Sequence, residues 1–144
     1  VNYQLRIFNQ NSSEYWLSLI LRYRTLRHPL GLNYTRTQLE AESKDIHLGL
    51  FDDNRIYASL ILSPKNKDTI QLRQMAVDLD FQSKGIGRKL LIEAEQFAQE
   101  KGYSFIFCHA RISATDFYEK LNYIKIGDEF QEVSIPHILM QKKL

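Results

Sequence analysis

Apolar and polar residues alternate in short, well-separated stretches, and the period of each stretch predicts an element. Tyr3 to Phe8 reads as a strand. Asn11-Ser12-Ser13 supplies capping residues for a helix to about Arg27, with Trp16, Leu19, Ile20, Tyr23 and Leu26 on its core stripe. His28-Pro29-Leu30-Gly31 breaks that helix, and Thr37 to Ser43 predicts a second, short one. Ile46–Phe51 and Arg55–Leu62 flank the turn cluster Asp52-Asp53-Asn54 and predict a hairpin. Ser63 to Asp68 is another turn, leading into Ile70–Val77, a strand with partial alternation. Ile86, Leu90, Ala94, Phe97 and Ala98 then fall at helical spacing, and Gly102 is the stop signal. Ser104–Cys108 reads as a buried strand. Ser113 to Tyr123 predicts a short helix, with Ser113 as N-cap, Asp116 at the third position and Asn122 at a left-handed exit. Two strands close the chain. The expected fold class is α/β, in the order strand, helix, helix, three strands, helix, strand, helix, two strands.

The most informative stretch joins the strand at Ile70–Val77 to the helix that follows. Gln82-Ser83-Lys84-Gly85-Ile86-Gly87-Arg88 opens that helix. A helix start offers unpaired N–H groups and the positive end of the dipole, the environment an oxyanion needs. Gly85 and Gly87 allow close approach to the main chain, and Lys84, Arg88 and Lys89 add positive charge. The expected ligand group is a pyrophosphate. A P-loop would require Gly-x-x-x-x-Gly-Lys-Ser/Thr, but Arg88 and Lys89 follow Gly87. A dinucleotide fingerprint would require a third glycine where Leu90 stands. The pattern Gln/Arg-x-x-Gly-x-Gly/Ala fits without change.

That pattern resembles the GNAT superfamily of N-acetyltransferases, which bind acetyl-coenzyme A. The segment from His109 to Tyr123, containing Phe117-Tyr118-Glu119-Lys120-Leu121-Asn122-Tyr123, is similar to the Ala…Phe-Tyr-Glu-Lys-x-Gly-Phe segment of the same superfamily, with Asn122 in place of glycine. The tail from Phe130 to Met140 resembles the Glu-x-Gly-Ile-Pro-His-x-x-Met ending of a bacterial branch similar to the ElaA and YjcF proteins, with Ser134 in place of glycine. The resemblance spans almost the whole chain. It implies a single N-acetyltransferase domain over residues 1–144. The implied fold is a mixed, mostly antiparallel sheet flanked by helices, whose two middle strands splay apart to form a cofactor cleft.

Composition narrows the partners. At 144 residues the chain can bury a real core, and 44% apolar residues is ordinary for a globular protein. A net charge of +2, with bases scattered among acids, gives no reason to expect a nucleic acid. The single cysteine excludes an internal disulfide and fits a reducing, cytoplasmic compartment. No apolar run approaches the roughly 20 residues that span a bilayer, and the start shows no signal-peptide pattern, so no membrane partner is expected. No Cys/His cluster has zinc-ligand spacing, so no metal is expected.

By resemblance, acetyl-coenzyme A is the cosubstrate and a primary amine of a small molecule or peptide the acceptor. The implied cofactor contacts are Met75, Ala76 and Val77 along the splayed strand edge, and Gln82, Ser83, Lys84, Gly85, Ile86, Gly87 and Arg88 around the pyrophosphate. A backbone N–H at Val77 or Met75 is expected to polarise the thioester carbonyl. Arg111 stands where relatives carry an Asn or Gln on the pantetheine arm; a phosphate or solvent are its other possible partners. Tyr118 is the implied catalytic residue beside the sulfur, with packing on the cofactor or core as the plain alternative. The base is open: His137 leads, with Glu132 and His109 as further candidates, a structural histidine as the plain alternative, and water as another route. Cys108, flanked by Phe105-Ile106-Phe107, is expected to be a buried hydrophobe rather than a nucleophile. The loop from Leu26 to Tyr34 is expected beside the acceptor, with Arg27 overhanging the cleft to pair a carboxylate or phosphate, or else capping its own helix. Two copies could pair as a homodimer. The rival reading is a noncatalytic acetyl-coenzyme-A-binding or sensing module. A nucleotide-binding protein of another fold is a remote third.

Overall fold

The structure, a computed structural model, describes residues 2–144. Its elements are β1 (Gln4–Phe8), α1 (Ser13–Arg22), α2 (Arg36–Glu40), β2 (Ile46–Asp52), β3 (Arg55–Pro64), β4 (Thr69–Val77), α3 (Ile86–Glu100), β5 (Phe105–Arg111), α4 (Thr115–Glu119), β6 (Ile124–Glu132) and β7 (Ile135–Lys143). One seven-stranded sheet runs β1-β2-β3-β4-β5-β7-β6. Every pairing is antiparallel except β4–β5, which α3 connects as a crossover. The element order and the mixed sheet match the expectation from sequence.

Two irregularities shape the middle of the sheet. First, β4 and β5 pair only from Thr69↔Phe105 to Leu72↔Cys108. Beyond that point β4 stays with β3 as far as Val77, while β5 stays with β7 as far as Arg111. The strands therefore diverge, as the resemblance implies. Second, β4 carries a bulge. Ser59 faces Ala76 and Ile61 faces Arg73, so Leu60 stands opposite both Gln74 and Met75. Gln74 takes a left-handed φ of 53°. The extra residue resets the alternation. Ile70 and Leu72 belong to the core under α3, and Met75 and Val77 pack against that same core. Ala76 instead joins the cluster of Leu21, Phe51 and Ile56 under α1.

The sheet thus separates two layers. On one side α3 buries Ile86, Leu90, Leu91, Ala94 and Ala98 against Leu60, Leu72, Ile106 and Met140. On the other lies α1. Its expected stripe is corrected in part: Leu26 packs against the Leu21 cluster, but Trp16 is 63% and Ile20 54% exposed, whereas Tyr15, Ser18, Leu21 and Arg22 are buried. The reason is polar. Arg22, only 1% exposed, donates from Nη1 to Glu42 Oε1 (3.0 Å) and from Nη2 to Oε2 (2.6 Å), and Tyr15 Oη donates to Oε1 at 3.2 Å. This buried pair rotates the helix away from its most apolar face.

Ser12 caps α1, accepting from the Tyr15 N–H. The helix then widens to a π turn over Tyr23–Arg27 and a 3₁₀ turn over His28–Leu30, closed by Gly31 at φ 69°. A second correction concerns α4. Ser113 lies in a 3₁₀ turn, Ile112–Ala114, and caps nothing; the helix starts at Thr115. Asn122 does take the left-handed exit, at φ 72°, and the Tyr123 N–H reaches back to the Tyr118 carbonyl.

Candidate active site

The glycine turn forms the N-terminus of α3. Gly85 is the N-cap at φ 80°, a conformation that glycine adopts without strain. The first intrahelical bond runs from the Lys89 N–H to the Gly85 carbonyl at 3.0 Å. The amides of Ile86, Gly87 and Arg88 therefore have no acceptor within the helix. Gln82 Nε2 donates to the Val77 carbonyl at 3.2 Å and ties the turn to the end of β4. Ser83, at φ 63°, and exposed Lys84 complete the turn. The Ile86 side chain is in the core, so only its backbone is on offer. Gly87 has a reason the sequence did not reveal. A Cβ there would stand 3.2 Å from Val77 Cγ2 and 3.4 Å from Met75 Cε, so its absence lets α3 sit tightly on β4.

Where β4 and β5 diverge, a cavity of about 480 Å³ opens. Strand alternation places its two walls on opposite faces of the sheet. Cys108 and Ala110 face α3, and Tyr118 packs beside them; His109 and Arg111 point the other way, toward the end of α1. The cavity therefore passes through the sheet.

On the α3 side, Tyr118 Oη lies 3.9 Å from Met75 Sδ. Burial, and secondarily the neighbouring Cys108, hold its hydroxyl far above the ordinary phenol range. Burial also pushes the Cys108 thiol up to about 12. Both groups are neutral near pH 7: Tyr118 is a hydrogen-bond donor, and Cys108 is not a nucleophile. Edge-on contacts with Phe117 and Tyr123, at centroid distances of 5.1 and 5.4 Å, fix the Tyr118 ring.

On the other side the three candidate bases form one cluster. Arg111 and His137 are cross-strand partners, as are Phe130 and His137. This register puts His109, His137 and Glu132 on one face. Glu132 Oε1 is 3.0 Å from His109 Nδ1, and Oε2 is 3.6 Å from His137 Nε2. His137 Nδ1 is 2.8 Å from the Ile135 carbonyl. A carbonyl only accepts, so Nδ1 carries the hydrogen, and the lone pair of the neutral ring lies on Nε2. Phe130 stacks on His137 and meets His109 edge-on.

The end of α1 closes this wall. Arg111 Nη2 reaches the Leu26 carbonyl at 3.4 Å, and the Arg27 guanidinium lies 4.7 Å from the centre of the Tyr34 ring. Arg22 stands 4.8 Å from the same ring. Tyr34 Oη donates to Gln74 Oε1 at 2.7 Å, fastening the 31–35 loop to the bulge of β4. Tyr34 ends the loop expected beside the acceptor, but Gln74 was not legible as a site residue. Nothing in a strand sequence announces a bulge at glutamine.

The chain fits a long ligand that is anionic at one end and rich in amides. The α3 N-terminus offers free N–H groups, and the β5-facing side of β4 has no strand partner after Leu72. Among the described residues, no group of three or more His, Cys, Asp or Glu is arranged to hold a metal, and no helix is long and apolar enough to cross a membrane. Residues 30–144 match the family model described as "Acetyltransferase (GNAT) domain". The chain is 27% identical over 131 residues to the uncharacterized N-acetyltransferase YitI of Bacillus subtilis, covering 86% of this chain and 88% of that one. Its fold is similar to that of Escherichia coli ElaA (TM-score 0.83, 14% identity, 98% and 99% of the two chains covered). It is also similar to a GNAT family acetyltransferase from Elizabethkingia anophelis with acetyl-CoA bound (TM-score 0.76, 18% identity, 99% of each chain). The chain belongs to the GNAT acetyltransferase family.

Proposed function

We propose that this acetyltransferase uses acetyl-coenzyme A and transfers the acetyl group directly to a primary amine of a small molecule or peptide. The observation that carries the reading is the cavity through the sheet, with Met75 and Tyr118 on one wall and His137, Glu132 and His109 on the other. The pyrophosphate sits on the amides of Ile86, Gly87 and Arg88, with Gln82, Ser83, Lys84 and Gly85 shaping the turn. The amide-rich pantetheine arm lies along Met75, Ala76 and Val77, where β4 has no β5 partner. A backbone N–H of Met75 or Val77 polarises the thioester carbonyl as negative charge develops on its oxygen.

The acceptor amine enters from the α1 side and attacks the carbonyl carbon. His137 Nε2 takes the amine proton, with Glu132 beside it to stabilise the imidazolium that forms. The C–S bond then breaks, and the Tyr118 hydroxyl donates a hydrogen bond to the departing thiolate. With its phenol pKa raised, Tyr118 stabilises that charge rather than delivering a free proton.

The test measures coenzyme A release with a panel of amines, polyamines, amino acids and peptides, beside calorimetry with acetyl-coenzyme A. Binding with turnover supports the enzyme. Binding without turnover on any amine would leave a sensing module, and absence of binding would remove the cofactor.

A further inference from the structure

The α1-side wall of the cavity holds an imbalance of charge. Three arginines line it: Arg27, Arg73 and Arg111. Arg73 is paired, with Nη1 at 3.5 Å from Asp45 Oδ2. Among the described residues Arg27 and Arg111 have no carboxylate within 4.0 Å. Glu132 is the one carboxylate that lines the cavity, and it faces the two histidines.

The two unpaired guanidiniums line the same cavity. Arg111 reaches from β5 to the carbonyl of Leu26, the residue directly before Arg27. The Tyr34 ring holds the face of the Arg27 guanidinium, which leaves its N–H edges for another partner. Two unpaired guanidiniums in one cavity favour an oxyanion there, and a carboxylate or phosphate matches their fork geometry. The helix-capping alternative for Arg27 finds no support, since the helix-end carbonyl that receives a guanidinium hydrogen bond is Leu26's, from Arg111.

The proton-accepting group lies close by. Arg111 and His137 are directly opposite in the β5–β7 ladder, a separation of about 5 Å between Cα atoms. We infer that the acceptor is a compact amine bearing its own oxyanion, a carboxylate or phosphate a few bonds from the nitrogen. Arg27 and Arg111 hold the oxyanion, and Glu132 draws in the ammonium before His137 takes its proton. The same wall selects against extended polyamines, whose second cation would face the two arginines. This inference rests on the acetyltransferase reading and assigns Arg111 to the acceptor rather than to pantetheine.

The test compares matched pairs of acceptors: β-alanine against its amide, and phosphoethanolamine against ethanolamine. Coenzyme A release gives kcat/KM for each with wild type, Arg27→Met, Arg111→Met and Arg24→Met, the last a control on the exposed face of the same turn. Wild type is expected to prefer the anionic member of at least one pair by about tenfold or more. A preference in the first pair identifies a carboxylate, in the second a phosphate. The ratio should collapse toward unity in Arg27→Met and Arg111→Met and persist in Arg24→Met, with the loss mainly in KM. Calorimetry of acetyl-coenzyme A on each variant should show unchanged affinity. If neutral amines are turned over at least as well as their anionic partners, or if the preference survives both substitutions, the inference falls and the acetyltransferase stands. Weakened coenzyme binding in Arg111→Met would return that residue to the cofactor and overturn its assignment here. If no amine is turned over, the enzymatic reading and this inference fall together.

Discussion

Gly87 and Val77 are in close contact: a methyl group at 87 would stand 3.2 Å from Val77 Cγ2, tighter than ordinary packing. Val77 is β-branched and stiff in a strand, so the helix rather than the side chain has to give. Gly87→Ala is expected to cost about 1–3 kcal/mol as overpacking. It should also weaken acetyl-coenzyme A binding, because α3 and the end of β4 move together. Gly85→Ala meets nothing within 4 Å and pays only for φ 80°, about 1–2 kcal/mol. Urea unfolding and calorimetry on both variants separate packing from conformation. Equal loss of coenzyme affinity in the two would contradict the distinction.

Tyr118→Phe removes a hydroxyl from a buried site without changing its shape. The expected effect is a fall in kcat of about ten- to a hundredfold, the worth of one hydrogen bond to a charged group, with acetyl-coenzyme A affinity unchanged. Full activity on a good acceptor would make Tyr118 a packing residue.

Glu42→Gln tests the buried anchor of α1. It leaves Arg22 charged, 1% exposed and without its carboxylate, and the Arg22 Nε already lacks a partner. A loss of about 3–5 kcal/mol in unfolding free energy is expected. Arg22→Met with Glu42→Leu should recover most of it. A single substitution that costs under about 1 kcal/mol would show that water already reaches the pair.

His47 gives the fold a pH dependence. It is 2% exposed, and burial lowers its pKa below the ordinary imidazole value, with the Glu42 carbonyl 3.2 Å from Nε2 only partly offsetting that. The folded state therefore prefers neutral imidazole. Stability is complete above the unfolded pKa of about 6.5 and declines as pH falls from there toward the lower folded value. Thermal melts between pH 8 and pH 5 should show this decline, and His47→Gln should flatten it. An unchanged slope in the variant would assign the acid sensitivity to other groups.

Much of this was legible because it is local. Ser12, Asp53, Gly102 and Asn122 each announce a cap or turn through their own chemistry, and the elements follow. The facing of α1 was not legible: its apolar stripe lost to an ion pair whose partner lies 20 residues away. The turn joining β6 and β7 carries no local signal either. Its two turn residues, Val133 at φ 47° and Ser134 at φ 62°, are both left-handed, where Asn-Gly would be the expected signal. Only the register of Glu132 opposite Ile135 forces that conformation. The gathering of His109, Glu132 and His137 likewise depends on two strand registers that the residues themselves do not encode.

The divergence of β4 and β5 moves the sheet's weakest point from its rim to its centre. Ladder bonds are missing beyond Leu72 and Cys108, in the middle of seven strands. An amide-bearing ligand laid along Arg73–Val77 would supply them, and ligand and protein would then melt as one cooperative unit. At a hundredfold excess over Kd that linkage adds about 2.7 kcal/mol to stability. The amides in this half of β4 would then show the largest slowing of hydrogen exchange on binding, which would tie the enzyme's full rigidity to a bound substrate.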